Sequence, residues 1–148
     1  EIFMLDNRMF KTDLITDEPH LLGANQMNRF INEIMGSNAS FKFIVFGNSV
    51  LSVGEDETPF TDYSEEYDEL IRRLHLSRIN GIVFITGDTF ETELLKEERE
   101  FAYPLYELKF PGLSLDGSLG GNFARVKVEG ENRKRICIIN FNFRTCRI

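Results

Sequence analysis

Three places in this chain put chemically capable polar side chains directly after a short apolar run. Asp6, Asn7 and Arg8 follow the run at 2–5, Asn48 lies in Gly47-Asn48-Ser49 after residues 41–46, and Asp88 follows Gly87 after residues 82–85. Carboxylate and amide oxygens are ligands for hard cations, and a guanidinium grips an oxyanion through two parallel N–H groups. Polar groups at strand ends are where sites are built. Plainer roles stand beside each residue: a strand-end ion pair for Asp6 and Arg8, a tight turn for Asn48, a helix cap for Asp88. His20, beside Pro19, and His75, near a helix end, are isolated and take no role.

Side chains like these need elements that bring them together. The unbroken apolar run at 2–5 reads as a strand covered on both faces. Residues 24–35 place Met27, Phe30, Ile31 and Ile34 at helical spacing, with Gly36 expected to close the helix in a left-handed conformation. Residues 41–46 form a second strand and 63–76 a second helix, with Tyr67, Leu70, Ile71 and Leu74 on its apolar face and Asn80-Gly81 ending that unit. Residues 82–85 form a third strand. Strand, helix, strand, helix, strand predicts parallel pairing through right-handed crossovers.

Beyond that the pattern changes. Residues 91–100 read as a short charged helix, and 105–110, 124–128 and 136–143 as strands. Ala124, Val126 and Val128 alternate with Arg125, Lys127 and Glu129 before Gly130, which predicts a hairpin with one wet face. The glycine-rich stretch 113–121 lacks the spacing of a phosphate-binding loop and reads as a flexible connection. The expected fold class is α/β: a mixed sheet flanked by helices, in a single domain over residues 1–148.

A chain of 148 residues with 42% hydrophobic content buries a real core without a disulfide or metal staple. Its 17 basic and 24 acidic side chains give a net charge of −7, which argues against a nucleic-acid or anionic-membrane partner, and the run Arg133 to Arg135 reads as a solvated strand end. No segment reaches the ~20 apolar residues of a membrane span. Cys137 and Cys146 have opposite parity on one extended segment, so no bridge between them is expected, and Cys137 falls in the alternating set Cys137, Ile139, Phe141, Phe143. The chain opens inside an apparent strand, an expectation that preceding sequence or another chain completes it.

Several segments in order resemble the PhoD-like alkaline phosphatases. They are Phe3-Met4-Leu5-Asp6-Asn7-Arg8; Leu22-Gly23 with Gln26 opening a helix; Ala39 to Ile44; Gly47 to Leu51; Gly81 to Asp88; Thr92-Glu93-Leu94-Leu95; Tyr103-Pro104-Leu105-Tyr106-Glu107-Leu108; and the hairpin opening at Asn122-Phe123. The resemblance implies the carboxy-terminal half of a metallophosphoesterase sandwich of two mixed sheets flanked by helices. It also implies hydrolysis of phosphate esters, with the two metal ions, iron, calcium, zinc or manganese, held largely by the amino-terminal half. Such paired metals clamp phosphoryl oxygens and generate hydroxide.

Under this resemblance Asp6, Asn7 and Arg8 approach the catalytic centre, Arg8 and Asn48 contact phosphate, and Asp88 serves the metal. Two positions depart from the family pattern. Phe90 stands where a histidine is usual after Gly-Asp, and Asn7 where a second aspartate is frequent. The resemblance implies a companion amino-terminal half or another chain, a phosphate-ester substrate, an extracytoplasmic location, and no activity from these residues alone. The alternative is a degenerate, non-catalytic member that acts as a binding or scaffold module.

Overall fold

The computed structural model describes residues 1–51, 58–87, 92–98, 103–110, 124–131, 136–141 and 144–147. In order, the elements are β1 (Ile2–Met4), α1 (Ala24–Gly36), β2 (Lys42–Phe46), a 3-10 turn (Phe60–Asp62), α2 (Ser64–Ser77), β3 (Ile82–Thr86), β4 (Glu93–Glu97), β5 (Leu105–Lys109), β6 (Ala124–Glu129), β7 (Ile136–Phe141) and β8 (Arg144–Arg147). β1 to β5 form one sheet in the order β1-β2-β3-β5-β4, and β6-β7-β8 a second. β1, β2, β3 and β5 run parallel, while β4 is antiparallel to β5. The large sheet is therefore mixed and the fold α/β.

Strand order advances in one direction from β1 to β3, so two crossovers of the same hand place α1 and α2 on one face. Register then decides which side chains they cover. Phe3, Ile44 and Phe84 stand in one row across the sheet, continued on β5 by Glu107. The apolar members of that row, with Phe46 and Ile82, bury against Met27, Phe30, Ile31 and Ile34 of α1 and Leu70 and Leu74 of α2. Phe3 meets Phe30 edge-on at 5.7 Å between ring centroids. Each such side chain contributes about 1.5–3 kcal/mol when fully buried.

The opposite face is covered unevenly. Val83 and Leu108, at its β3–β5 end, pack against Cys137 and Ile139 of the small sheet, with Ala124 and Val126 alongside. The predicted hairpin is present as β6 and β7, with Gly130 at φ 91° beyond β6. At the other end Ile2 and Met4 are 67% and 79% exposed. β1 is thus an edge strand with only Phe3 buried, not a strand covered on both faces.

Three further expectations change. Residues 93–97, in the stretch expected to be helical, form β4: Glu, Leu and Lys favour a helix, but pairing with β5 overrides propensity. Gly36 is the last residue of α1 and is not left-handed; Ser37, in an extended conformation, closes the helix by donating its N–H to Ile34 O at 3.2 Å. The left-handed cap falls instead at Arg78 (φ 51°), after α2. The last predicted strand stops at Phe141 and a further strand, β8, returns beside it, so Cys146 stands opposite Ile139 rather than further along the same strand. The glycine-rich stretch 113–121 and the run Arg133 to Arg135 lie outside the described residues. No helix among the described residues is long and apolar enough to cross a membrane.

Candidate functional site

Four parallel strands end at the same edge of the large sheet, and their carboxyl ends carry the polar residues. In open α/β sheets this edge is where ligand sites form. Beyond β1 comes Asn7, beyond β2 come Asn48 and Ser49, and Thr86 and Lys109 close β3 and β5; all five are buried. Thr86 and Lys109 are register partners.

Asn7 and Asn48 meet directly: Asn7 Nδ2 donates to Asn48 Oδ1. Asn48 Nδ2 in turn donates to Thr58 O at 2.7 Å and Thr58 Oγ1 at 3.1 Å. This approach needs Gly47, because a Cβ there would lie 2.5 Å from Asn7 Nδ2. The buried amide pair ties the end of β1 to the loop after β2.

That loop is held from its other side by Glu107, which is fully buried. Its carboxylate accepts the N–H of Val50 at 2.9 Å, the N–H of Leu51, and Thr86 Oγ1–H at 2.6 Å. Burial pushes the Glu107 carboxyl above its ordinary value, against the pull of Thr86, Val50, Leu51 and Lys109 toward the charged form. Between the two clamps, Ser49 Oγ is buried without a hydrogen-bond partner among the described residues.

Asp6 and Arg8 are brought to this end of the sheet but not into its buried network; both are exposed. Asp6 does not reach across to the Arg8 side chain. Its Oδ1 accepts the backbone N–H groups of Arg8 at 2.9 Å and Met9 at 3.0 Å, and these bonds, Met9 first, hold its carboxyl below the ordinary value. Asp88 and Phe90 lie outside the described residues. Among the described residues, no three His, Cys, Asp or Glu side chains converge as a metal-holding group. The two amides that meet here, Asn7 and Asn48, are already engaged with one another.

Glu107, Thr86, Ser49 and Lys109 were not singled out as site residues from the sequence. A signal existed for two of them: alternation along 105–109 puts Glu107 and Lys109 on the same face as Leu105, and an acid facing inward from an interior strand needs a buried partner. Thr86 and Ser49 carried no comparable mark.

No family model matches the sequence, and no curated protein matches it. Among solved structures, the chain is similar to one described as the structure of PhoD, with a TM-score of 0.61 at 15% identity over 73% of this chain. The match spans 26% of that protein's chain, about a quarter of its length. At this identity the likeness is one of fold: these residues share a PhoD-like α/β architecture.

Proposed function

We propose that these residues form the carboxy-terminal part of a PhoD-like phosphoesterase of the metallophosphoesterase type. It would hydrolyse phosphate mono- or diesters once a companion amino-terminal half or another chain supplies the metal ligands. The observation that carries this reading is the gathering of Asn7, Asn48, Thr86 and Lys109 at the carboxyl ends of four parallel strands, in a fold similar to PhoD. Arg8, exposed at the rim, is the group to take a phosphate oxyanion. Asn7 and Asn48 hold the neighbouring loops in place, Asp6 orders the backbone that carries Arg8, and Asp88 is assigned to the metal. An extracytoplasmic setting belongs to the same proposal.

By itself the chain is expected to be inactive, because on this reading the companion half supplies most of the metal ligands. Hydrolysis of a chromogenic phosphate monoester or diester by the 148-residue chain, with iron, calcium, zinc or manganese added, would refute that. A specific observation favours a second reading. Asn7 and Asn48 satisfy each other and Asp6 is committed to its own loop, an arrangement that suits a non-catalytic module. Elemental analysis of the protein from its native source separates the two: stoichiometric metal supports the phosphoesterase, and a metal-free protein supports the module.

A further inference from the structure

The open edge of β1, together with the apolar surface that the first fifteen residues lay beside it, is inferred by us to be the seat of an added β-strand from a companion polypeptide; this rests on the proposed need for such a companion. The strand's own hydrogen bonds define the seat. Leu5 N–H reaches Val45 O at 3.1 Å and Phe43 N–H reaches Glu1 O at 2.9 Å, so the odd-numbered residues of β1 face β2. Ile2, Met4 and Asp6 therefore turn their N–H and C=O groups outward. At Asp6 an amide already occupies that slot. Asp6 N–H donates to Gln26 Oε1 at 2.8 Å, and Gln26 Nε2 donates to Asp6 O at 2.6 Å, as a peptide unit of a neighbouring strand would. One pleat earlier, β1 is the outermost strand of its sheet and has no such neighbour among the described residues.

The side chains point the same way. Edge strands of soluble proteins are usually blunted by charge, proline or a bulge. β1 is Ile-Phe-Met. Of the ten large apolar side chains exposed among the described residues, six lie between positions 2 and 15: Ile2, Met4, Met9, Phe10, Leu14 and Ile15, the last 94% exposed. The loop presenting them is tied down, because Thr12 and His20 bond each other through backbone and hydroxyl, and Tyr63 Oη donates to Thr12 O at 3.3 Å. A cleft of about 410 Å³ opens beside β1, with Met4, Leu5, Phe10 and Phe30 as its apolar lining and Gln26 and Arg29 among its polar walls. An extended segment with an apolar residue at alternate positions fits this seat.

The occupant is a longer polypeptide rather than a second copy of this chain. Two β1 edges paired about a two-fold would cover Ile2–Met4 and leave the apolar surface through Ile15 bare. Most of the similar solved protein, of which this chain matches 26%, has no counterpart in these residues.

Hydrogen exchange tests this on the protein isolated from its native source, beside the 148-residue chain. The Met4 amide should exchange at least 100-fold more slowly in the native protein, either in a chain heavier than 17.2 kDa or with a co-purifying partner. Met4→Lys should abolish that protection, and Val128→Lys, at an exposed apolar position on β6, should leave it. Equal exchange rates in the two preparations overturn the inference, as does protection found only in a homodimer. Metal content read in parallel separates the two ideas: a protected Met4 in a metal-free protein keeps the strand seat and sinks the phosphoesterase, whereas bound metal with a fast-exchanging Met4 does the reverse.

Discussion

Glu66 and Glu107 each reach from one element to take the backbone N–H groups of a loop that belongs to another, yet the two clasps sit in opposite surroundings. Glu66, on α2, accepts the N–H groups of Leu21, Leu22 and Gly23 at 2.6, 3.0 and 2.7 Å, fixing the chain that enters α1. It is half-buried, and water reaches it. Glu107, on β5, takes Val50, Leu51 and Thr86 at the candidate site and is sealed from solvent. The same chemistry therefore has different consequences: water can replace the first acceptor and cannot replace the second. The Glu66 clasp orders a helix entry, and the Glu107 clasp ties a polar loop to the core beneath the site.

The largest expected effect breaks the sealed clasp. Glu107→Ala leaves two N–H groups and a hydroxyl buried without an acceptor, at a cost of about 3 kcal/mol, partly relieved because a buried charge is also removed. Urea unfolding should show it as a lower midpoint. Charge enters separately. The folded pKa of Glu107 lies above its ordinary 4.5, so the folded state binds more protons than the unfolded one between those two values, and stability falls as pH rises through that window. The contribution of Glu107 is thus complete below the unfolded value and declines above it. The stability difference between wild type and Glu107→Gln should shrink as pH rises above the ordinary 4.5; a difference that widened would show that the hydrogen-bond donors outweigh burial.

Next in size is the amide pair on the other side of the same loop. Gly47→Ala drives a Cβ into Asn7 Nδ2 and should cost about 2 kcal/mol, as overpacking does. Asn7→Ala should cost about 1 kcal/mol through the lost bond to Asn48. Since Asn7→Ala removes the atoms that the new methyl meets, the double variant should lose less than the sum of the two. Strict additivity in thermal unfolding would mean that the loop approaches β1 differently.

How much of this was legible depended on whether a feature was local or brought together by folding. The helix over Met27, Phe30, Ile31 and Ile34 and the parallel strands ending at Asn7 and Asn48 follow from periodicity and glycine placement, which act within a few residues. β4 is not legible locally, because Glu93–Glu97 has helical composition and only pairing with its partner β5 makes it a strand. The Asn7–Asn48 contact spans 41 positions and the Glu107–Val50 contact 57. Such contacts leave little local trace beyond an inward-facing acid. Asp6 has a clear local trace, but its exposed carboxylate takes the backbone N–H groups of its own turn rather than the Arg8 guanidinium.

The half-exposed clasp should respond less. Glu66→Ala is expected to cost about 1 kcal/mol, as the loss of a helix cap does, because water takes over part of the role at Leu21, Leu22 and Gly23. A loss equal to that of Glu107→Ala would erase the contrast between the two regions.

Two turns further along α2, the smallest effect marks the limit of what exposed polar links contribute here. Arg73 joins the helices by donating from Nη1 to Asn28 Oδ1 at 2.6 Å on α1 and from Nε to Glu69 at 2.5 Å on its own helix. Its side chain keeps 30% of its surface open and that of Glu69 34%, so solvent screens the pair and ordering two long side chains offsets much of the gain. Arg73→Ala should therefore cost about 0.5 kcal/mol, and raising the salt concentration should reduce even that, which unfolding in urea at two ionic strengths would read. A salt-independent loss several times larger would place the bond to Asn28, rather than the Glu66 clasp, as the main polar tie between α2 and the segment carrying α1.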